Sequence, residues 1–430
     1  MDAMIDTVIH PHVRPVDRQT PLRQTEPRAQ RSVAMPSTTR GRVQDPVWLQ
    51  ADDCNIIDFT EIVEQATNLA DYPYASRVEL GVIVYDCGHL RDIVGEPTRR
   101  REVQAEMAHA LLHGPGVFAL AGAFADMSVL DRVTSAFRAM IAAQQAEGHE
   151  AGDHFAKPGA NDRIWNALEK LALADPDAFA DYYANDMIAL ASVAWLGPSY
   201  QMTSQVNQVN PGGAAQLAHV DYHLGFQSNE VTGQYPAHVH ALSAALTLQG
   251  AVAHCDMPIE SGPTMYLPHS QKYALGYLAW RHPEFRAYFD ANYVQLALAK
   301  GDAVFFNPSL FHAAGHNTST DIQRIANLLQ VSSAFGRTME TVDRDAMIAA
   351  LYPTLLQRRA DGANEQGLRN IIAVSAEGYA FPTNLDRDPP IEGLAPASQA
   401  DIVWTALRSQ SEPETLAAQL HALRGRRSLG

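Results

Sequence analysis

The sequence predicts an α+β protein in which one β core, a sandwich or barrel, is wrapped by helices before and after it in the chain. Two changes of texture carry this expectation. Up to about residue 200, apolar residues mostly recur at helical spacing. From there to about 335 they form short alternating or continuous runs closed by Gly, Pro, Asn or Asp, and beyond 337 the helical spacing returns. Hydrophobic residues make up 46% of the 430, enough to fill such a core.

Residues 1–45 are rich in Pro, Arg, Gln and Thr and poor in aromatic residues. They cannot bury enough apolar surface to offset their ordering entropy, so a disordered tail is expected. An N-terminal extension is expected over 46–104, with helical periodicity from "VWLQADDCNIIDF" and a strand at "ELGVIVYDC" (79–87). The main domain is expected over 105–336. It opens with a helix, a Gly-Pro-Gly break at 114–116, the strand "VFALAG" and another helix. The stretch from "NDRIWNALEK" onward reads as two further helices interrupted near Pro176. Strands follow in "YQMTSQVNQV", "AQLAHVDYHLGF", "ALSAALTLQGAV", "TMYLP", "VQLALAKGDAVFFNP" and "ANLLQVSSAF", with a helical insertion at "QKYALGYLAWRHPEFRAYFDANY". A mainly helical C-terminal extension is expected over 337–430.

A formal charge of −16 disfavours nucleic acid or an anionic membrane as partner, since both require a basic footprint. No run approaches the ~18–20 apolar residues of a membrane span, and no basic segment followed by an apolar one marks a signal peptide. Cys54, Cys87 and Cys255 form no C-x-x-C pair, so neither a disulfide framework nor a zinc knuckle is suggested. A cytoplasmic protein acting on a small molecule is expected, with the terminal helices as the place for any homodimer contact.

Chemistry concentrates in "QLAHVDYHLGF", where His219, Asp221 and His223 occupy every second position. In an extended segment these side chains share a face and could meet one ion. A distal partner is available in "GDAVFFNPSLFHAAGHNTST", as His312 or His316. Two His and one carboxylate on one face of an octahedral ion leave three open positions, the facial triad of non-haem Fe(II) oxygenases. A structural zinc site would be closed by four ligands, preferentially with Cys. On the preceding strand Gln205 and Asn207 share a face, and Gln216 and Thr264 are further polar candidates near the site.

The segments "NPGGAAQLAHVD" (210–221), "IESGPTMYLPHSQK" (259–272), "KGDAVFFNPSLFHAAGHNTS" (300–319) and "QRIANLLQVS" (323–332) occur in the order of a known pattern. Through them the chain resembles the phytanoyl-CoA dioxygenase family of Fe(II)/2-oxoglutarate-dependent oxygenases. The resemblance implies a double-stranded β-helix (jelly-roll, cupin-like) core wrapped by N- and C-terminal helices. It implies His219, Asp221 and His312 as iron ligands, because His312, Gly315 and Asn317 match the family's H-x-x-G-x-N. Arg324, twelve residues after His312, matches the Arg that pairs with the distal carboxylate of 2-oxoglutarate, a task suited to a planar guanidinium fork. Gln205, Asn207, Gln216 and Thr264 are placed beside that cosubstrate. Ala314 departs from the pattern where a Ser is common, with Thr318 or another hydroxyl as its substitute. His223, His254 and Arg387 are the substrate-contact candidates, and "EGYAFPTNLDRDPPIEG" (377–393) or the helices after it are expected to cover the pocket.

The activity so implied consumes 2-oxoglutarate and O2, releases succinate and CO2, and hydroxylates an unactivated C–H bond. Halogenating relatives typically replace the carboxylate ligand with a small residue, so Asp221 favours hydroxylation, desaturation or ring closure. No basic cluster is placed for the phosphates of coenzyme A, which favours an amino acid or natural-product intermediate over an acyl-CoA hydroxylase substrate. A non-catalytic metal- or ligand-binding β-barrel and a metal-dependent hydrolase are the readings from other classes.

Overall fold

The strands of the second half alternate between two sheets, and that alternation builds the core. The computed structural model describes residues 47–147, 159–391 and 393–428, so the tail expected over 1–45 lies outside the described residues. The strands are β1 (Arg77–Glu79), β2 (Val82–Asp86), β3 (Val117–Ala121), β4 (Asn161–Ile164), β5 (Gln201–Val209), β6 (Thr247–Ala253), β7 (Met265–Tyr266), β8 (Val294–Gln295), β9 (Ala303–Phe306), β10 (His312–Ala313) and β11 (Arg324–Ser332). The main sheet runs β1-β2-β3-β9-β6-β11-β5-β4 and the small one β10-β7-β8. Only β2 and β3 pair in parallel; the other pairs are antiparallel. After β5 the chain reaches the small sheet's edge through a single bridge, His219 to His312. It then visits the main sheet (β6), the small (β7, β8), the main (β9), the small (β10) and the main again (β11). This is the winding of a double-stranded β-helix.

The pleat divides each main-sheet strand between two environments. Met202 and Val206 of β5, Leu248 and Val252 of β6, and Ile325, Leu329 and Val331 of β11 join one apolar cluster with the surrounding helices. Their neighbours Gln205, Asn207, Gln249, Ala251, Arg324, Ala326, Leu328 and Gln330 line a cavity on the opposite face. Each buried Val or Leu contributes about 1.5–3 kcal/mol. A one-residue slip would exchange the two faces, so the register is strongly specified.

Segments expected as extensions pack into this same cluster: Ile83 and Tyr85 from β2, and Met347 and Leu351 from the helix Arg344–Ala360. Outside the small sheet a second cluster gathers Phe59 of the helix Ile56–Val63, Phe285 and Phe289 of the helix Pro283–Asn292, and Phe311. Phe59 lies 5.0 Å edge-on to Phe285 and 5.1 Å from Phe311. Among the described residues no helix is long and apolar enough to cross a membrane.

Four expected elements differ. "AQLAHVDYHLGF" forms no strand: it makes one bridge at His219 and then a 3-10 turn over His223–Phe226, where positive φ at Tyr222 and His223 breaks the extended run. "ELGVIVYDC" is the turn of a hairpin and its second strand, and Cys87 already begins a helix capped by Asp86. "NDRI" (161–164) is an edge strand on β5 rather than a helix start, a short run too brief for periodicity to separate the two. "ALSAALTLQGAV" divides: its alanine-rich half, with high helix propensity, ends the helix Ala237–Ala245, and the rest is β6.

His254, expected near the pocket, follows β6 on the helical face. The pleat sends it with Leu248 and Val252 to the side away from the cavity. Its Nδ1 is 2.9 Å from Thr134 Oγ1, whose proton goes to the Leu130 carbonyl, so Nδ1–H is the donor. Tyr182 then donates to Nε2 at 3.0 Å, which leaves a neutral ring. Burial lowers the His254 pKa to about 3, whereas an unfolded His titrates near about 6.5. As pH falls the unfolded state takes up this proton first. The stabilisation is therefore full above about pH 6.5 and declines toward pH 3, by up to about 1.4 kcal/mol per pH unit. In urea unfolding across that range, His254→Gln should flatten the slope of stability against pH; an unchanged slope would contradict this origin.

Candidate metal centre

His219 and His312 exchange backbone hydrogen bonds, 2.9 Å from His219 N to His312 O and 3.1 Å in return. A residue pair bonded in this way projects both side chains to one face, and the imidazole centroids lie 4.5 Å apart. Each ring is oriented alike: Nδ1–H donates at 2.8 Å to the carbonyl two residues before it, Leu217 and Leu310 respectively. Both Nε2 atoms are thereby left as acceptors, the form that binds a cation. Asp221, fixed by its own N–H to the Pro308 carbonyl at 3.0 Å, brings Oδ1 to 3.7 Å from His219 Nε2 and Oδ2 to 3.4 Å from His312 Nε2. The three ligand atoms lie within 4.8 Å of one another, the one cluster of this kind among the described residues.

Protonation suits a divalent ion. Burial pushes the His219 imidazole down from its ordinary value, against the pull of Asp221. Burial alone would raise the Asp221 carboxyl, but His219, His312 and a hydrogen bond from Gln249 hold it well below the usual carboxylate range.

Two glycines make this arrangement sterically possible. At Gly262, with φ +71°, an added Cβ would lie 2.4 Å from the His316 carbonyl; at Gly315 it would lie 2.5 Å from the Pro263 oxygen. The Gly-Pro segment and the H-x-x-G-x-N segment are thus in backbone contact. Asn317 closes the turn by donating to the Val209 and Ile322 carbonyls, and it is a structural latch.

A cavity of about 360 Å³ opens on the cluster. Arg324, Gln205, Asn207, Gln216 and Thr264 all line it together with His219, Asp221 and His312. Arg324 is buried, its Nη1 has no hydrogen-bond partner, and no carboxylate lies within ion-pairing distance of it among the described residues. Burial draws its pKa down to about 10. Such a group requires an anion, so a dicarboxylate cosubstrate fits this wall as a divalent ion fits the His-Asp-His cluster.

The substrate candidates fall elsewhere. Positive φ at Tyr222 (63°) and His223 (39°) ends the extended segment. His223 consequently turns toward the helix Ala237–Ala245, with Nδ1 3.3 Å from Ser243 Oγ, and contributes nothing to the cavity wall. His254 is on the far face of the sheet. Arg387 donates to the Ser428 carbonyl. Its loop is fastened to the last helix by Asn384 and by the Asp388–Arg426 pair, and lends no residue to the cavity. Thr318 bonds the Glu260 carbonyl and also lies outside it. His316, whose carbonyl meets Gly262, is outside the cluster.

Several wall residues escaped sequence reasoning. Arg163 and Trp165 were hidden because β4 read as a helix; Arg163 donates to Gln205 Oε1 at 2.9 Å and lies 4.9 Å over the Trp165 ring. Gln249, Gln330 and Tyr266 were within reach: counting by twos along β11 from Arg324 arrives at Gln330.

A family model described as Phytanoyl-CoA dioxygenase (PhyH) matches residues 112–326, which is 215 of 430, half of the chain. The chain belongs to the phytanoyl-CoA dioxygenase family. It is a 2-oxoglutarate-dependent non-haem iron oxygenase, with Fe(II) as metal and 2-oxoglutarate and O2 as cosubstrates. Among solved structures it is similar to SnoN, a non-haem α-ketoglutarate-dependent epimerase from nogalamycin biosynthesis, at 17% identity and TM-score 0.38 over 56% of this chain and 82% of that one. SnoK, a carbocyclase of the same biosynthesis, matches at 19% identity and TM-score 0.38 over 54% and 86%. HygX from Streptomyces hygroscopicus, with nickel and 2-oxoglutarate bound, matches at 14% identity and TM-score 0.34 over 51% and 84%. No curated protein matches.

The close backbone contact is testable. Gly262→Ala should destabilise the fold by about 1–3 kcal/mol through backbone strain alone, and by more where His316 must give way. Denaturant unfolding checks this, and a native midpoint would show that the contact is not tight.

Proposed function

We propose that this oxygenase hydroxylates an unactivated C–H bond of a small metabolite, an amino acid or natural-product intermediate, using His219, Asp221 and His312 to hold Fe(II). The observation that carries the reading is the cavity shared by this cluster and the buried Arg324, whose Nη1 has no partner among the described residues. In this reading Arg324 holds the distal carboxylate of 2-oxoglutarate. Thr264 and Tyr266, which line the same cavity as Arg324, supply hydroxyls where Ala314 has none. Gln216 accepts from the Ala314 N–H at 3.3 Å and anchors that strand instead.

When bound, iron with 2-oxoglutarate and O2 supplies an oxidant able to break a C–H bond, releasing succinate and CO2. The chain's own contributions are a carboxylate and two Nε2 acceptors fixed before binding, a guanidinium that orients the cosubstrate, and walls that exclude water. The apolar part of the cavity, formed by Phe226, Leu298, Phe306, Leu328 and Met339, provides that exclusion.

Size and charge favour a small substrate over an acyl-CoA. The cavity must also contain 2-oxoglutarate, and among the described residues the Lys or Arg side chains lining it are Arg324 and Arg163, too few for the phosphates of coenzyme A. Incubation with Fe(II), 2-oxoglutarate and candidate metabolites, followed by mass spectrometry, should reveal a product gaining one oxygen atom. Turnover confined to acyl-CoA substrates would overturn the substrate class.

His219→Ala, Asp221→Ala and His312→Ala should each abolish O2-dependent succinate formation, while His223→Ala and His316→Ala retain iron binding; loss of iron from either of the latter would contradict the ligand assignment. Arg324→Ala should raise the KM for 2-oxoglutarate at least about 30-fold, as expected when one partner of a buried ion pair is removed. Steady-state kinetics measures this, and an unchanged KM would move the cosubstrate away from Arg324.

A further inference from the structure

Asp221 lies in a segment with almost no regular structure of its own, yet its carboxylate must keep one orientation. The restraint comes from the main sheet. Gln249 on β6 donates its Nε2–H to Asp221 Oδ2 at 2.6 Å. An ionised carboxylate only accepts, so the amide must present its NH2 side, which assigns the Gln249 atoms. Gln330 on β11 accepts at 2.5 Å from the hydroxyl of Tyr222, the next residue in the chain. Gln249 and Gln330 are direct cross-strand partners, so one rung of the sheet grips two consecutive residues of the metal-bearing segment.

We propose that Gln249 and Gln330 are positioning residues, a paired amide clamp that fixes the Asp221 carboxylate for metal binding. The inference rests on the metal reading above. Tyr222 explains why two grips are needed. Its φ of 63° and ψ of 149° are strained for a residue with a side chain, a conformation that costs about 1–3 kcal/mol and persists only when its surroundings over-determine it. Tyr222 is buried, and its hydroxyl bond to Gln330 anchors the ring while the backbone turns away after Asp221. Once His219 and His312 give their Nε2 atoms to an ion, Gln249 is the side-chain partner left to the carboxylate among the described residues. An N–H on one carboxylate oxygen disfavours binding of both oxygens to the same ion. Single-oxygen coordination keeps positions open for 2-oxoglutarate and O2.

The test is Co(II) titration of the full chain, following the visible absorption that reports coordination number. Native binding that is lost in His219→Ala establishes the centre; no such difference would defeat the metal reading itself, an outcome separate from the clamp. With the centre established, Gln249→Met and Gln249→Glu should weaken Co(II) binding about 10–100-fold, the usual range for a ligand's hydrogen-bond partner, and alter the spectrum. Gln330→Leu and Tyr222→Phe should weaken it in the same direction, whereas Gln330→Glu, which keeps an acceptor for Tyr222, should restore it. Near-UV circular dichroism identifies the folded variants, and Gln249→Glu and Tyr222→Phe carry the test if Gln249→Met does not fold. Native Co(II) affinity and spectrum in a folded Gln249 variant would overturn the clamp. So would equal losses in Gln330→Glu and Gln330→Leu.

Discussion

Two backbone hydrogen bonds between His219 and His312 organise everything else at this centre. They join positions 93 residues apart (312 − 219) and set both rings on one face. A lone bridge is weak on its own, a net 0.5–1.5 kcal/mol or so per hydrogen bond. Its persistence therefore depends on what flanks it. Gly262 and Gly315 let two backbones touch, Asn317 latches the turn at 210–213, and the aromatic cluster around Phe59 and Phe311 presses on the small sheet from outside. The main sheet supplies the rigid opposite wall.

Electrostatically the cavity is unfinished without its ligands. An ionised Asp221 and a buried Arg324 stand in one cavity without pairing to each other. Burying an uncompensated charge costs several kcal/mol, and Arg324 carries that cost; Asp221 does not, because Gln249 and the two histidines hold it in its ionised form. A carboxylate answers the guanidinium, so its binding removes that penalty. Part of the affinity for that carboxylate is thus matched by stability the fold forgoes in burying Arg324.

What the sequence disclosed follows the range of each signal. Strand alternation placed Gln205 and Asn207 together and His219 with Asp221, whereas the choice of His312 over His316 and the selection of Arg324 came from the resemblance to the family. It failed where the period broke. Positive φ at Tyr222 and His223 is invisible in composition, and it removed His223 from the pocket. His254 was misplaced by a single step of the pleat. β4 was too short for its period to be read, which concealed Arg163. Arg387 was judged by loop composition, and only tertiary contacts with the last helix show where it is held.

Arg324 and Arg163, which both line the cavity, are unlike in burial and in partners. Arg324 begins β11 and is buried, with Nη1 unmet among the described residues. Arg163, at the sheet's edge on β4, already donates to Gln205 and rests over Trp165, which is 36% exposed. A dicarboxylate gains most at the deeper group, because a charge interaction strengthens as water is excluded. Elsewhere in the same cavity Arg163, Trp165, Phe226 and Leu328 form a wall that is polar at one point and apolar around it. Under the function proposed above, that wall would orient a small substrate through one polar group, with its apolar part against the hydrophobic side chains.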